Sequence, residues 1–192
     1  MVDRPSGAAT PLALRRPVVL VGLMGSGKSS VGKKVAAALG VTFADSDAEI
    51  ERRAGRTIAS IFETDGEASF RATEAEVVAD LIGSDRPAVV ATGGGAVLDP
   101  GTRAALRERA TVVWLRATAA VLVHRIAPDG TRPLLADDDP AAALARLAAE
   151  REPLYRAVAD LVVDVDHVPR KVVVEQVLAQ LAATLADRGG AP

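Results

Sequence analysis

The fold of this chain is decided by one stretch, Gly22-Leu23-Met24-Gly25-Ser26-Gly27-Lys28-Ser29. It fits the pattern G-x-x-x-x-G-K-[S/T], which is typical of loops that bind the phosphates of a nucleotide. Glycines let backbone N–H groups turn inward around phosphate oxygens, because no Cβ stands in the way. In such a loop Lys28 brings a positive charge to the β- and γ-phosphates, and Ser29 offers a hydroxyl to Mg²⁺.

The segments on either side of this loop are those that a phosphate loop requires. Pro17–Val21 is a short apolar run rich in β-branched residues, which predicts a strand buried on both faces. The residues after the loop place their apolar side chains on one stripe of a helix that begins near Lys28 and ends at Gly40. Its positive N-terminus would face the phosphates. The alternative, a chance glycine-rich turn, leaves this context unexplained.

The composition restricts the other classes of function. The chain has 192 residues, 49% of them hydrophobic, which suits one compact domain with a sizeable core. A net charge of −2 gives no global attraction to nucleic acid or to an anionic membrane. The sequence has no cysteine and two histidines, which excludes disulfides and thiolate chemistry and disfavours a His-rich metal site. Arg15-Arg16 before a short apolar run is a poor export signal, so we expect a cytoplasmic protein.

Further along the chain, strands alternate with helices. This alternation predicts a parallel sheet with helices on both faces. Residues 1–15 are expected to be a disordered tail, and Ala127–Asp139, broken by Pro and Gly, a mobile loop. The strands after the first are predicted at Val41–Ala44, Ala88–Ala91, Thr111–Leu115 and Leu161–Asp164. Helices are predicted over Ala48–Arg53, Thr57–Phe62, from Asp65-Gly66 to about Ile82, from about Gly101, after Thr118, over Pro140–Tyr155 and from about Pro169.

Two aspartates, Asp45 and Asp47, follow the second predicted strand. Ligands of open parallel sheets bind at the carboxyl ends of the strands, and residues two apart in an extended segment point to the same side. Both carboxylates could therefore face the phosphate loop. One could hold Mg²⁺ through water, while the other orients or deprotonates an acceptor hydroxyl. The alternative is that Asp47 only caps the next helix and that Asp45 belongs to a turn.

Thr92-Gly93-Gly94-Gly95 follows the third strand at the same edge of the sheet. Three glycines are typical of a place where a ligand approaches the backbone closely, although a plain loop is the alternative. Arg71, Arg132 and Arg151 could hold carboxylates or phosphates through their planar forks. Residue physics alone does not decide whether these arginines converge, nor which acceptor they hold.

The order of these motifs resembles the shikimate kinase family over essentially the whole chain from about Pro17. The phosphate loop is common to many kinases, whereas the combination of the other motifs is specific. The matching motifs are Gly22–Ser29 with Ser30, Asp45-Ser46-Asp47, Gly66-Glu67 with Phe70-Arg71, Gly93-Gly94-Gly95, Arg132-Pro133-Leu134-Leu135, and Arg151 with Pro153-Leu154-Tyr155.

The resemblance implies an α/β fold: a three-layer sandwich with a central five-stranded parallel sheet, and a P-loop kinase core with a mobile lid. It implies one domain over residues 1–192, with a shikimate-binding segment at about 45–75 and a lid at about 125–139. The implied reaction transfers the γ-phosphate of ATP to the 3-hydroxyl of shikimate, with Mg²⁺, in the pathway to aromatic amino acids. The implied protein is a monomer that binds neither nucleic acid nor membrane.

On the nucleotide side, the resemblance implies that Lys28 binds the transferring phosphate and that Ser29 ligates Mg²⁺, with Asp45 supporting the ion through water. Arg132 would be the lid arginine on the ATP phosphates, and Arg125 would lie against adenine. The remaining implied ATP-binding residues are Gly25, Ser26, Gly27 and Ser30.

On the acceptor side, Asp47 would hold the shikimate hydroxyls and act as base, so the implied catalytic residues are Lys28, Asp47 and Arg132. Arg71 and Arg151 would grip the carboxylate. Gly93, Gly94 and Gly95 would contact the substrate through their backbone, with Gly94 as the main donor.

The sequence departs from the family pattern in three places. Ser30 replaces the more usual Thr, Ala127–Thr131 and Asp137–Asp139 follow no family pattern, and His167–Pro169 matches only loosely a second wall for adenine. Two other functions were considered: another small P-loop kinase acting on gluconate or a nucleoside monophosphate, and a nucleotide-binding module without catalysis. The Asp-x-Asp and Gly-triplet motifs argue against the first, and the presence of Lys28, Asp47 and Arg132 argues against the second.

Overall fold

The structure is a computed structural model that describes residues 14–84, 86, 88–125 and 139–189. Its central element is a five-stranded sheet flanked by helices. The strands are β1 Val18–Val21, β2 Thr42–Asp45, β3 Ala88–Ala91, β4 Thr111–Arg116 and β5 Leu161–Asp164. The helices are α1 Lys28–Leu39, α2 Ser46–Ala54, α3 Ile58–Ile82, α4 Pro100–Arg109, α5 Ala119–Arg125, α6 Pro140–Val158 and α7 Arg170–Gly189, with a 3₁₀ turn at Ala96–Leu98.

The sheet is parallel throughout, with the strand order β2-β3-β1-β4-β5. In the ladder between β2 and β3, Asp45 lies opposite Ala91, and Ala91 lies opposite Leu20 of β1. The carboxyl ends of these three neighbouring strands therefore lie level at one edge. The phosphate loop, the Asp45–Asp47 turn and the glycine triplet all begin there. The predicted α/β sandwich with five parallel strands is confirmed.

The sheet separates two apolar cores, because alternate residues of the central strand point to opposite faces. Val19 and Val21 pack in one core with Leu106 and Trp114. The other core holds Val18 and Leu20, packed against side chains of α1 and α7 that include Val35, Val177 and Leu181. All four β1 residues are fully buried, as the uninterrupted apolar run predicts for a strand covered on both faces.

A third, smaller core lies between α2 and α3. It consists of Ile50, Ile61, Phe70 and Val77, with the rings of Phe62 and Phe70 4.6 Å apart. The two helices predicted over Thr57–Phe62 and from Asp65 onward are both present, but they join into one element with a kink. Gly66, at φ 78° and ψ 169°, is the non-helical residue at the kink, which explains why a break was predicted there.

Some predictions fall outside the described residues or concern membrane insertion. Residues 126–138, which hold Arg132 and most of the predicted lid, lie outside the described part of the chain, as do residues 1–13 of the predicted tail. Among the described residues, none of the helices is both long enough and apolar enough to cross a bilayer.

Candidate active site

Three glycines of the phosphate loop have the positive φ angles that a tight turn around a ligand requires. Gly22, Gly25 and Gly27 have φ values of 142°, 80° and 93°, which residues other than glycine rarely adopt. A Cβ at Gly22 would also lie 2.6 Å from the carbonyl oxygen of Leu115. The loop encloses the buried ammonium group of Lys28, which donates to the carbonyl oxygens of Gly22 at 2.8 Å and Leu23 at 2.9 Å.

Asp45 and Ser29 meet beside the loop. The Ser29 hydroxyl donates to Asp45 Oδ2 at 2.5 Å. The other oxygen, Asp45 Oδ1, accepts the backbone N–H of Asp47 at 3.1 Å and caps α2. The alternative in which Asp47 is the cap is thus wrong, since α2 begins one residue before Asp47. For the same reason, the two aspartates do not share one extended segment, as the sequence argument assumed.

Asp47 nevertheless faces the site, from the first turn of α2. Its Oδ1 atom is buried and has no hydrogen-bond partner among the described residues. Burial raises the pKa of Asp47, and the neighbouring Asp45 carboxylate raises it further, while the positive charge of Lys28 opposes both. An unpartnered carboxylate oxygen of this kind can accept a hydrogen bond, or a proton, from a bound molecule.

The glycine triplet lies directly against this carboxylate. A Cβ at Gly93 would lie 2.7 Å from Asp47 Oδ1 and would overlap Glu74 Oε1. A Cβ at Gly95 would overlap the Arg71 guanidinium, and one at Gly94 would lie 3.7 Å from Arg151 Nη1. The absence of side chains thus allows these polar groups to approach the loop closely, which is the reason for three consecutive glycines.

Arg71 is anchored by Glu74, which the sequence analysis did not single out. Arg71 Nη1 donates to Glu74 Oε2 at 2.6 Å, and its Nη2 lies 3.1 Å from Glu67. Glu74 is buried, and burial raises its pKa although Arg71 opposes the shift. Glu74 falls three residues after Arg71, so the i,i+3 spacing of opposite charges was a signal that could have revealed it.

Arg151 is buried within α6, with 2% of its surface exposed. Its Nε and Nη1 atoms have no hydrogen-bond partner among the described residues. A buried guanidinium is costly unless its donors are satisfied, so these two donors indicate a place for an anion.

Ser46 is a second residue that sequence reasoning missed. Its fully buried hydroxyl accepts the backbone N–H of Gly93 at 2.9 Å, which ties the start of the glycine triplet to α2. Its position between the two aspartates was noted only as part of a motif. Nothing in the spacing indicates a bond that spans 47 residues.

A cleft of about 540 Å³ extends from the phosphate loop to Arg125 at the end of α5 and Arg170 at the start of α7. Arg125 donates to the carbonyl oxygen of Val165 at 2.7 Å. Arg170, which sequence reasoning also missed, follows His167, whose φ is 55°. The residues that line the cleft are Met24, Gly25, Gly27, Lys28, Ser29, Ser30, Asp45, Asp47, Thr92, Gly94, Arg125 and Arg170.

The structure thus brings most of the predicted site residues to one edge of the sheet. Lys28, Ser29, Asp45, Asp47 and Arg125 line the cleft, and the glycine triplet joins them to the half-buried Arg71 and the buried Arg151. The remaining predicted arginine lies outside the described residues. One side of this arrangement is the glycine-rich loop with Lys28, and the other combines the Asp47 carboxylate with the guanidinium groups of Arg71 and Arg151.

We next compared the chain with known protein families and with individual relatives. The family model for shikimate kinase matches residues 24–182. A shikimate kinase of Nitrobacter winogradskyi is 48% identical over 177 residues, covering 92% of this chain and 82% of that protein. One from Halorhodospira halophila is 53% identical over 147 residues, covering 77% of this chain and 82% of that protein.

Solved structures agree. The shikimate kinase of Acinetobacter baumannii, solved in complex with shikimate, superimposes with a TM-score of 0.85 at 37% identity, over 88% of this chain and 94% of that one. With a matching family model over most of its length and relatives near 50% identity, the chain belongs to the shikimate kinase family.

Proposed function

We propose that the chain transfers the γ-phosphate of ATP to the 3-hydroxyl of shikimate, using the residues gathered around its three-glycine loop. The observation that carries this proposal is that Asp47, Arg71 and Arg151 all lie against Gly93–Gly95, across from the phosphate loop. Shikimate has one carboxylate and three hydroxyls, so its recognition needs cations for the acid and a carboxylate for the hydroxyls.

The acceptor carboxylate is held by Arg151 and Arg71. Arg151 is buried, and its Nε and Nη1 atoms have no partner among the described residues, so this guanidinium has donors available for a carboxylate. Arg71 keeps its own bonds to Glu67 and Glu74 while lying beside Gly95. Glu74 therefore fixes the direction of the Arg71 fork before any substrate arrives.

Asp47 orients the acceptor hydroxyl and takes its proton during transfer. Its unpartnered Oδ1 is a free acceptor, and its raised pKa brings it nearer to neutral pH, where a general base is most effective. Gly93–Gly95 add backbone contacts, with Gly94 as the main donor.

Lys28 and the loop amides hold the phosphates. The ammonium group of Lys28 bonds to loop carbonyls, so nucleotide binding exchanges these acceptors for phosphate oxygens. Gly25–Ser30 supply backbone donors and hydroxyls at the N-terminus of α1. Arg125 takes the adenine side, where it is already fixed to Val165.

The residues beside the loop fit Mg²⁺. Within the described residues, no group of three or more His, Cys, Asp and Glu side chains forms a metal cage. Mg²⁺ usually takes only one or two protein ligands and fills its shell with water and phosphate oxygens. Ser29 and Asp45, 2.5 Å apart through their oxygens, offer such a hard-oxygen pair, with Ser29 as ligand and Asp45 acting through water. When bound, the ion neutralises charge on the phosphates.

Several parts of the proposal rest on the family alone. Arg132 serves as the lid arginine that contacts the ATP phosphates and helps to exclude water. The division into one domain with a tail, an acceptor segment at about 45–75 and a lid at about 125–139 belongs to the same proposal, as do a monomeric state and a cytoplasmic location.

The function is tested by ADP release with ATP, Mg²⁺ and a panel of acceptors: shikimate, quinate, gluconate and nucleoside monophosphates. We expect strong release with shikimate alone. Turnover of another acceptor without shikimate turnover would overturn the acceptor assignment and leave the phosphate loop intact. ATP binding with no turnover of any acceptor would instead support the non-catalytic alternative.

A further inference from the structure

Tyr155 has no role in the reaction described above, yet it lies at the centre of the acceptor side. It is the only tyrosine in the chain and is 1% exposed. Its hydroxyl donates to the carbonyl oxygen of Gly94 at 2.5 Å, and its ring packs on Trp114 with the centroids 5.8 Å apart. It follows Arg151 by four residues on α6, so both side chains leave the helix on the same face.

Arg151 lies close to the same hydroxyl. Burial raises the pKa of Tyr155 above its usual range, and the charge of the neighbouring Arg151 guanidinium opposes the shift. The phenol therefore keeps its proton at any working pH and continues to donate to Gly94. Arg151 Nη1 approaches the same glycine, 3.7 Å from the position of a Cβ at Gly94, so the arginine, the phenol and the loop meet at one point.

The bond to Gly94 sets the direction of a peptide group. In a trans peptide, the C=O and the following N–H point in opposite directions. With the Gly94 oxygen held on Tyr155, the N–H of Gly95 points away from α6. The same peptide separates the two arginines, because Gly94 lies beside Arg151 and Gly95 beside Arg71. A rotation of this peptide would change both the donor direction and the gap between the two guanidinium groups.

Among the described residues, the other side-chain bonds to this loop are at its ends, and backbone bonds hold the carbonyls of Gly93 and Gly95 on either side of Gly94. The Ser46 hydroxyl accepts the N–H of Gly93 at 2.9 Å, and Arg103 Nη1 donates to the carbonyl oxygens of Val97 and Leu98 at 2.7 and 2.8 Å. Gly94 has no side chain with which to fix its own conformation, so its peptide depends on outside contacts.

We propose that Tyr155 is a positioning residue for acceptor recognition: its hydroxyl sets Arg151 and the Gly94–Gly95 peptide in the geometry that receives the acceptor carboxylate. This inference rests on the proposed function, since it concerns the same acceptor site. Tyr155 does not touch the substrate, and acts through the two groups that do. The simpler alternative is that Tyr155 only fills the core beside Trp114.

The test is Tyr155→Phe, which keeps the ring on Trp114 and removes only the hydroxyl. We expect KM for shikimate to rise about tenfold, which corresponds to about 1.4 kcal/mol, while KM for ATP stays within about twofold. The control is Trp114→Phe, which disturbs the packing of the same ring and should lower Tm with no selective change in KM for shikimate. Equal changes in both KM values, or no change in either, would overturn the proposal.

A second substrate locates the effect. In the methyl ester of shikimate the carboxylate charge is gone, so the penalty of Tyr155→Phe should largely disappear. A penalty of the same size on the ester would show that the hydroxyl does not act through carboxylate recognition. Failure of the wild-type chain to turn over shikimate is a different result and would overturn the proposed function itself.

A measurement on the wild-type sequence covers the case in which Tyr155→Phe does not fold. Because the chain has a single tyrosine, incorporation of 3-fluorotyrosine gives one ¹⁹F signal from position 155. Shikimate should shift this signal, and a non-hydrolysable ATP analogue should shift it much less. A signal that does not respond to shikimate would contradict the proposal.

Discussion

At the scale of single residues, substitution of Lys28 should remove activity while the fold is retained. Its ammonium group bonds to two loop carbonyls, and we propose that it meets the phosphates when nucleotide binds. We expect Lys28→Ala to lower kcat by about 10²–10³-fold or more, because transition-state charge is left uncompensated. ADP release measures the loss, and circular dichroism measures whether the fold persists.

Lys34→Ala is the matched control, since Lys34 lies on the exposed face of the same helix α1. It should retain wild-type turnover. A Lys28→Ala variant that is unfolded would show that the lysine holds the loop together rather than serving the ligand.

Asp47→Asn should abolish phosphoryl transfer and leave ATP binding intact. Asparagine keeps the shape of the side chain but cannot take a proton, and Asp47 is proposed to act on the acceptor rather than on the nucleotide. Turnover is followed by ADP release, and affinity by calorimetric titration with ATP. Loss of ATP binding in this variant would move Asp47 to the metal side of the site.

The same substitution should stabilise the fold at neutral pH. Because the pKa of Asp47 is raised in the folded state, folding disfavours the charged form, and the wild-type chain loses stability as pH rises from the unfolded value of about 3.8 through the raised folded value. Urea unfolding at pH 5 and pH 8 should therefore show a larger advantage of Asp47→Asn at pH 8. An advantage that shrinks with rising pH would contradict the raised pKa.

The conformation of the phosphate loop and the roles of its residues could be predicted because each residue meets a local requirement of the backbone or of charge. The roles of Asp45 and Asp47 could not be divided from the sequence, because the division depends on α2 starting at Ser46 rather than later. Ser46 was missed because its partner Gly93 lies 47 residues away, whereas Glu74 could have been found from its i,i+3 spacing to Arg71.

At the scale of elements, the loop after β3 should not tolerate a side chain at Gly93. A Cβ at Gly93 would meet two carboxylates. We expect Gly93→Ala to destabilise the chain by about 1–3 kcal/mol through overpacking and to lower activity by displacing Asp47. Thermal unfolding and ADP release measure the two effects.

Gly101→Ala provides the comparison, since Gly101 lies in the first turn of α4, where a Cβ would be 3.2 Å from the Asp99 side chain. Alanine favours helix by up to about 1 kcal/mol, so this variant should be neutral or slightly stabilised. Similar losses of stability and activity in both variants would contradict a specific steric requirement for glycine at position 93.

Elements bounded by strong local signals were predicted within a residue or two, as with β1 and its glycine-rich turn. The predicted separation of the pieces of α3 was right about the break at Gly66 but wrong about its extent, because the helix resumes at once. The 3₁₀ turn at Ala96–Leu98 was not predicted. It is stabilised by Arg103 of α4, which donates to the carbonyls of Val97 and Leu98, and by the bond from the Leu98 N–H to the Gly95 carbonyl.

At the scale of the whole molecule, the two cores should unfold together. Leu181 is fully buried on the face of the sheet opposite Trp114, the single tryptophan. We expect Leu181→Ala to lower the free energy of unfolding by about 2–5 kcal/mol. The shift should be equal whether followed by Trp114 fluorescence or by far-UV circular dichroism, because small domains unfold cooperatively.

Leu106→Ala, on the Trp114 side, should give coincident transitions in the same way. A fluorescence midpoint that stays in place while the circular dichroism midpoint moves would show that the two faces unfold separately.

The convergence of the site is the property that local reasoning could not supply. The parallel sheet places the ends of β1, β2 and β3 level, so residues far apart in sequence meet at one edge. The alternation of strands and helices in the sequence predicted a parallel sheet, and therefore an edge at which the carboxyl ends of its strands meet. The arrival of Arg151 from α6 depends on how the last helices pack, and for that the family resemblance was needed.

The small core between α2 and α3 lets the segment that carries Asp47 and Arg71 hold together largely by its own packing. Ile50, Ile61, Phe70 and Val77 form this core, and Leu81 packs against both it and the larger core. Changes within this core should therefore displace Asp47 and Arg71 more than the phosphate loop that follows β1. Because Arg151 belongs to α6, a graft of this segment onto a related kinase would carry over only the α2–α3 part of the proposed acceptor site.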